Sequence, residues 1–507
     1  MTEVVASRPV PGTPRPYEFP PFERHQLQNG LTVLVVDLPG RPLVSASFIV
    51  RRGAVDEPAD LGGATVLAAR ALAEGTERYD AVALIEASER LGASLHAEAG
   101  WDATSASVDV VNDRLEEALE LLAEMVRRPT FPAAEVERLR DERLNDLLQA
   151  RADPRRRADE AFVETIYARA SPYHRPAGGT RETVETLERD DLEATWRRAL
   201  DPRLAALIVA GELGAIDVAA LANRLFGTLR APGPLGAPRI VDEGAVDDRL
   251  IRVVHRPGAV QTEFRIGHRG LPRRIDDFHA LSVMGAILGG LFNSRLNARL
   301  REEKGYTYGA FAGFDLRRGA GPFAARAAVN TEVTVPALTD ALVEIERLRN
   351  EPVTDAELRA AKDFLIGVFP LRFETPGPVV GALSGIHVHE LPDDELARYR
   401  PAIESVTVVD VARVAREHLR LERAAIVLVG DADAFGPELE AANIGRLIVE
   451  RDEGPVMEGP AEGVDEELGP VDSGHEGPTE GAEVTDLEWA ERPAEPGTAA
   501  DEALDAR

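Results

Sequence analysis

The 507-residue sequence contains no cysteine, which excludes disulfides, thiolate zinc sites and cysteine nucleophiles. Lysine occurs only at Lys304 and Lys362, and aromatic residues make up 5% of the chain. No apolar run approaches the roughly 18 residues that a membrane-spanning helix needs. The N-terminus lacks the apolar core of a signal peptide. These absences predict a cytoplasmic protein that has no membrane partner.

Negative charge is the main compositional excess, with a formal net charge of −30. Much of it lies at the C-terminus, where residues 450–507 contain 19 Asp or Glu and 3 Arg. This segment has few apolar residues and cannot bury enough surface to fold. We predict a disordered, solvated acidic tail at residues 448–507, and a tail that recruits a basic partner is the alternative. The overall acidity argues against nucleic-acid binding.

An internal repeat organises the chain. Residues 184–211 match residues 403–430 without a gap, and each copy predicts a helix followed by a short buried strand that ends at glycine. Upstream, each copy has two strands and two amphipathic helices. The predicted strands are Leu31–Val36, Val44–Val50, Leu250–Val254 and Gln261–Gly267. A repeat of this length exceeds solenoid periods, so it predicts two homologous α+β domains in tandem.

The composition between the two copies sets the domain boundaries. Residues 231–248 are rich in glycine and proline, which predicts a linker. We therefore predict a flexible N-terminal segment, an N-terminal domain, this linker, a C-terminal domain and the acidic tail. Their boundaries are 1–21, 22–230, 231–248, 249–447 and 448–507. Two similar halves joined in this way can close face to face around an enclosed space.

Short motifs in both halves resemble the pitrilysin/insulinase family of metallopeptidases, which includes the mitochondrial processing peptidases. In the first half they are Asn29-Gly30-Leu31, Gly53-Ala54, Asp56-Glu57-Pro58, Gly63-Ala64 and Gly75-Thr76. In the second half they are Asn293–Leu296 and Leu300–Gly309. The resemblance spans roughly residues 22–440 with preserved spacing. It implies a duplicated αβ sandwich that forms half of a closed chamber.

The zinc motif of that family is degenerate in this chain. Active members carry H-x-x-E-H, in which two histidines bind zinc and the glutamate activates water. By resemblance these positions are Val66, Ala69 and Arg70, on a helix predicted from Leu61 to Gly75 with Asp60 as its N-cap. The resemblance places the distal carboxylate ligand at Asp146.

Valine offers no lone pair, and Arg70 puts a cation where the metal belongs. We therefore predict no zinc or other cofactor in this chain. We favour an ion pair between Arg70 and Asp146, because a buried charge needs a partner. Separate solvation of the two side chains is the alternative.

Two of the ten histidines suggest another metal site. His387 and His389 alternate, so on a strand they would share a face. The residues that follow predict a turn, and no third ligand is evident, whereas zinc sites need three or four. We favour structural roles for both histidines.

Arg301 and Tyr306 fit the R-x-x-x-G-Y signature of the family's C-terminal half. The resemblance implies that both side chains reach the substrate beside the zinc. A guanidinium and a hydroxyl can hydrogen-bond the scissile carbonyl and stabilise its developing negative charge. The structural alternative pairs Arg301 with a neighbouring glutamate and packs Tyr306 in the core.

A second substrate-binding element is implied by the resemblance. It is an edge strand on which an extended peptide lies as an added strand. The residues concerned are Gly92, Ala93, Ser94, Leu95, His96 and Ala97. We assign no catalytic role to His96, which a solvent-facing position explains.

These observations predict the non-metal-binding subunit of a heterodimeric zinc peptidase that cleaves extended or unfolded peptides. The partner is a subunit of the same family with H-x-x-E-H intact, and it carries the zinc. The alternative is a non-catalytic structural or peptide-binding core subunit of a larger complex. A self-sufficient metallopeptidase would need a metal site that the sequence does not show.

Overall fold

The structure is a computed structural model that describes residues 12, 15–234 and 243–451. The predicted N-terminal segment, linker and acidic tail therefore lie wholly or partly outside the described residues. Within these ranges, no helix has both the length and the apolar character that crossing a bilayer requires.

The first half forms one six-stranded sheet in the order β1-β2-β6-β3-β5-β4. The strands are β1 (Glu23–Gln26), β2 (Thr32–Asp37), β3 (Leu43–Val50), β4 (Ser94–Ala99), β5 (Thr104–Val111) and β6 (Ala205–Gly211). The helices are α1 (Ala64–Ala71), α2 (Ala81–Arg90), α3 (Leu115–Arg127), α4 (Ala133–Ala152), α5 (Pro154–Ile166), α6 (Arg181–Val184), α7 (Arg189–Ala199) and α8 (Val218–Phe226). Apolar side chains of α1, α3 and α7 pack on one face of the sheet and form the core of this half.

The second half repeats this plan in the order β12-β7-β11-β8-β10-β9. Its strands are β7 (Leu250–His255), β8 (Gln261–Arg269), β9 (Ala310–Phe314), β10 (Pro322–Asn330), β11 (Ala425–Gly430) and β12 (Arg446–Arg451). Its helices are α9 (Phe278–Gly285), α10 (Thr334–Asn350), α11 (Asp355–Val368), α12 (Pro376–Val388), α13 (Glu395–Ser405), α14 (Val408–His418) and α15 (Ala432–Ala442), with π-helical turns at Ala286–Gly290 and Asn297–Glu303. The predicted α+β class and the two homologous domains are confirmed.

The outermost strands distinguish the two sheets. β1 runs antiparallel to β2, whereas β12 runs parallel to β7 and pairs Arg446 with Leu250. β12 continues to Arg451, beyond the predicted domain end at residue 447.

The second face of each sheet is covered by a helix that belongs to the other half of the chain. On the second sheet, α5 packs Ala158, Phe162 and Ile166 against Val427 and Val429 of β11. On the first sheet, α12 packs Val379, Leu383 and Ile386 among Leu34, Ile49 and Ile208. Burial of each Val, Leu, Ile or Phe side chain in these two contacts contributes about 1.5–3 kcal/mol to folding. The two halves are therefore joined by a mutual exchange of helices.

Candidate functional site

The helix that carries the degenerate motif is shorter than predicted. It is α1, Ala64–Ala71, and it begins after Gly63, whose φ is +95°. A Cβ added at Gly63 would lie 2.7 Å from the carbonyl oxygen of Gly178, so only glycine fits there. The prediction of Asp60 as N-cap was wrong, because Asp60 lies in a preceding 3₁₀ turn.

A buried glutamate anchors the start of α1. Glu57 accepts hydrogen bonds from the backbone N–H groups of Thr65, at 2.6 Å, and Gly63, at 3.1 Å. Its Oε2 also lies 2.5 Å from Nη2 of Arg175, and its side chain is 1% exposed. Burial raises the pKa of Glu57, while Arg175 and the hydrogen bonds from Thr65 and Gly63 oppose that shift.

The three motif positions lie on α1, which packs against α4 and β4. Ala69 is buried, whereas Val66 and Arg70 are partly exposed. Nη2 of Arg70 lies 3.2 Å from Oε2 of Glu142 on α4. The fourth position, Asp146, accepts hydrogen bonds from Arg143 and from Arg156, the latter at 2.7 Å.

The charge of Arg70 also acts on Asp146. Burial opposes ionisation of this carboxyl group, but the hydrogen bond from Arg156 and the charges of Arg143, Arg156 and Arg70 outweigh it and lower its pKa. Arg70 therefore contributes to a shared network, which includes Asp146, as well as pairing with Glu142.

Arg138 extends this network along α4, since its guanidinium lies 2.7 Å from Glu74, 2.7 Å from Glu135 and 2.5 Å from Glu142. We call the whole cluster the α1–α4 network. Its members are Arg70, Glu74, Glu135, Arg138, Glu142, Arg143, Asp146 and Arg156. Positive and negative side chains are equal in number, so the network is neutral overall.

These residues do not fit a zinc ion. The network offers no imidazole, and both carboxylate oxygens of Asp146 already accept from guanidinium groups. Two clusters of three potential metal ligands occur among the described residues, and neither contains a residue of this network. The prediction that zinc resides in a partner chain stays a prediction.

His387 and His389 do not lie on a strand, so the shared face that could have made them joint ligands is absent. His387 lies in the last turn of α12 and His389 caps it. The Nε2–H group of His387 donates to the carbonyl oxygen of Leu204 at 3.0 Å. Burial lowers the pKa of both rings to about 4, so both are neutral at pH 7. The helix forms because its apolar side chains bury against the first sheet.

Within the part of the chain that the structure describes, two groups of acidic and histidine side chains have ligand-like spacing, and both are committed to protein contacts. In the first, His255 Nδ1 accepts from the backbone N–H of Ala432 at 3.1 Å, and Asp433 pairs with Arg451 at 2.9 Å. In the second, Asp277 binds Arg413 at 2.6 Å and His418 at 2.9 Å.

Arg301 has few internal partners. Its guanidinium lies 4.1 Å from the ring centroid of Phe292, which is 62% exposed, and its Nε lies 3.5 Å from Oε1 of Glu302. The Arg301 side chain is 31% exposed. A contact of 3.5 Å to an exposed neighbour adds little stability. The guanidinium is therefore accessible to a ligand.

The two tyrosines that follow Arg301 differ in exposure. Tyr306 packs against the core of the second half, and its N–H donates to the carbonyl oxygen of Leu300 at 2.8 Å. Tyr308, which the sequence analysis did not single out, is 93% exposed. Phe292, Tyr308 and Phe311 are the most exposed phenylalanine and tyrosine residues in the described ranges. The sequence could have indicated Tyr308 as a candidate, because it lies in the segment Leu300–Gly309 that also contains Arg301.

β4 forms one edge of the first sheet and pairs only with β5 among the described strands. Ser94, His96 and Glu98 are exposed, whereas Leu95 and Ala97 pack against the core. The predicted binding segment begins earlier than the strand, because Gly92 has a φ of +63° and Ala93 is buried in the turn. The outer edge of β4 is suited to pairing with an extended peptide.

Comparison with known proteins identifies two matching family models. "Insulinase (Peptidase family M16)" matches residues 32–180, and "Peptidase M16 inactive domain" matches residues 186–365.

Curated relatives match over much of their length. An uncharacterised zinc protease of Mycobacterium leprae is 26% identical over 80% of this chain and 91% of its own. The non-peptidase homolog YmxG of Helicobacter pylori is 25% identical over 62% of this chain and 72% of its own.

A solved M16 inactive domain from Pseudomonas fluorescens has a TM-score of 0.76 and 26% identity, covering 81% of this chain and 98% of that one. A Helicobacter pylori protease structure, 21% identical with a TM-score of 0.76, covers 82% of this chain and 100% of its own and shares the fold. The motifs, the duplicated fold and the two family models agree, and the chain belongs to the insulinase family of peptidases, M16.

Proposed function

We propose that this chain is the non-metal-binding subunit of a heterodimeric zinc peptidase that cleaves extended peptides. The observation that carries the proposal is that one motif, Leu300–Gly309, presents both the partly exposed guanidinium of Arg301 and the exposed Tyr308. The M16 partner, with H-x-x-E-H intact, binds the zinc and activates water. This chain contributes groups that bind the substrate.

The chemistry of these groups suits peptide hydrolysis. Attack on a peptide carbonyl develops negative charge on its oxygen, and donors already aimed at that oxygen lower the barrier. Arg301 supplies a permanent positive charge, and a tyrosine hydroxyl supplies a neutral donor. Between the two tyrosines, exposure favours Tyr308, because Tyr306 packs against the core.

The degenerate site supports a divided reaction. The side chains of the α1–α4 network pair with one another, which leaves no ligand set for zinc. Ala69 offers no general base. α1, which carries Arg70 of the network, packs against both α4 and the edge strand β4. An extended peptide could pair with the free edge of β4 without sequence selection by the backbone pairing itself.

The test is a reconstitution with a zinc-bearing M16 chain from the same source. The mixture should cleave a fluorogenic unstructured peptide, whereas the full chain alone should not. Arg301→Ala should lower kcat by roughly a hundredfold, the usual cost of removing a transition-state donor. Tyr308→Phe should lower kcat more than Tyr306→Phe does.

Arg359→Ala is the matched control, since Arg359 is an exposed arginine on α11. Size-exclusion chromatography should show that each variant still joins the partner. Full activity of both Arg301→Ala and Tyr308→Phe in an intact complex would refute the catalytic role.

A non-catalytic peptide-binding or structural subunit is the second candidate. The saturated α1–α4 network favours it, since a site rebuilt from mutual ion pairs needs no ligand. It is also consistent with the name of the Helicobacter pylori relative, "non-peptidase homolog". A stable complex whose activity is insensitive to the Arg301 and Tyr308 variants would support this candidate.

A further inference from the structure

The two halves also meet through equivalent hairpins. The turn between β4 and β5 contains Asp102, and the loop between β9 and β10 contains Arg318. The backbone N–H of Arg318 donates to Oδ2 of Asp102 at 2.8 Å, and its Nη1 lies 3.0 Å from Oδ2 of Asp56. Arg318 of the second half is therefore held by two carboxylates of the first half.

Aromatic side chains of the first half enclose the rest of this loop. The guanidinium of Arg317 lies 4.7 Å from the ring centroid of Trp101 and 5.0 Å from that of Tyr173. The hydroxyl of Tyr173 accepts from the N–H of Gly319 at 3.1 Å. The hydroxyl of Tyr167 donates to the carbonyl oxygen of Ala320 at 2.8 Å. The side chains of Trp101, Tyr167, Tyr173 and Arg317 in this contact are buried.

Within this contact, Asp102 is only half satisfied. Its Oδ1 is buried and has no hydrogen-bond partner among the described residues. An ionised carboxylate with one desolvated oxygen is costly, because burial removes water without a replacement donor. The charged or titratable groups that face Asp102 are Arg317, Arg318, Asp315 and Tyr173, and Asp56 shares Arg318 with it.

We propose that the contact between the two hairpins depends on pH through Asp102, and that the neutral carboxyl group holds the hairpins together more firmly than the carboxylate does. We call this contact the lock. Protonation removes the desolvated charge, and Oδ2 can still accept from the N–H of Arg318. Because Asp102 lies in the turn that ends β4, the lock fixes one end of that edge strand.

The electrostatics give the pH range and the sign. Burial raises the pKa of Asp102 to about 6 from its ordinary value of 3.8, against the opposing effects of the Arg318 hydrogen bond and of the Arg318 and Arg317 charges. A raised carboxyl pKa means that the folded state binds the proton more tightly than the unfolded state. The contact is therefore firmest below the unfolded value and weakens as pH rises through about 6. His389 faces Arg318 and Asp315, but burial lowers its pKa to about 4, so it stays neutral in this window.

Hydrogen–deuterium exchange of the full chain at about pH 5 and about pH 7.5, corrected for intrinsic exchange rates, tests the lock. Amides of residues 100–103 and 315–321 should be protected about tenfold more at the lower pH. Asp102→Asn mimics the neutral carboxyl group and should give the same high protection at both pH values. Asp60→Asn, at an exposed aspartate, is the matched control and should behave as the wild type.

Equal wild-type protection at the two pH values would overturn the proposal. So would an Asp102→Asn variant that keeps the wild-type pH dependence. Should that variant fail to fold, the carboxyl ¹³C shift of Asp102 in the wild type decides, because titration near its ordinary value of 3.8 would contradict the lock.

Discussion

The α1–α4 network and the surroundings of Arg301 use the same side chain in opposite ways. In the network, Arg138 contacts three carboxylates, and Arg143 and Arg156 share Asp146. Arg301 lies on an exposed ring and has one 3.5 Å ionic contact. A guanidinium that is fully paired within the chain contributes to folding, whereas one that is left accessible is available to a ligand. Stability measurements can therefore separate the two regions.

The largest expected loss of stability is at Glu57, which anchors the start of α1, the helix that carries Arg70 of the network. Glu57→Ala leaves the Arg175 guanidinium and the N–H groups of Gly63 and Thr65 without their acceptor. We expect a loss of about 3–5 kcal/mol in the free energy of unfolding, as for other broken buried ion pairs. Urea denaturation measures it. Glu185→Ala, which removes an exposed partner of Arg181, is the control and should change little. A loss below about 1 kcal/mol at Glu57 would contradict the anchor.

A smaller loss is expected within the network. Asp146→Ala removes the acceptor shared by Arg143 and Arg156 and should cost about 2 kcal/mol, since hydrogen bonds to charged groups are lost. The lowered pKa of Asp146 sets the pH dependence. Its stabilisation is present above its ordinary pKa of 3.8 and disappears as pH falls through the folded value. Wild type and variant should therefore converge in thermal melts at strongly acidic pH. Curves that stay parallel would show that the carboxylate charge is not the cause.

The smallest effect on stability is expected at Arg301. Arg301→Ala removes one long ionic contact and a stacking contact with an exposed ring, so the free energy of unfolding should change by about 0.5 kcal/mol or less. Differential scanning calorimetry measures it beside the Asp146 variant. A loss as large as that at Asp146 would remove the contrast between the two regions and would favour a structural role for Arg301.

Local patterns predicted most of the fold. Each repeat copy predicted a helix followed by a buried strand that ends at glycine, and the structure has α7 before β6 and α14 before β11, because their apolar periodicity is encoded locally. The start of α1 was missed because it depends on the close approach of Gly63 to Gly178, which is distant in sequence.

Contacts between residues distant in sequence also decided other features that local patterns could not predict. α12 contains three glycines and two prolines, a composition that disfavours a helix, and its burial against the other half's sheet overrides that preference. The loss of the motif's ligands and base at Val66, Ala69 and Arg70 could be read from the sequence, because a side chain without a lone pair cannot bind a metal wherever it lies. The partners of Arg70 and the exposure of Tyr308 could not, because both depend on which surfaces meet in the folded chain.

The reciprocal placement of α5 and α12 bears on how the protein could be divided. A cut between residues 231 and 248 would separate the sequence repeats, yet each fragment would still hold a helix that the other needs to shield its sheet. Separately produced fragments should therefore expose apolar sheet surface and recombine when mixed. The covalent connection between the repeats is then dispensable for integrity, and the duplication behaves as an intramolecular dimer whose protomers have become mutually dependent.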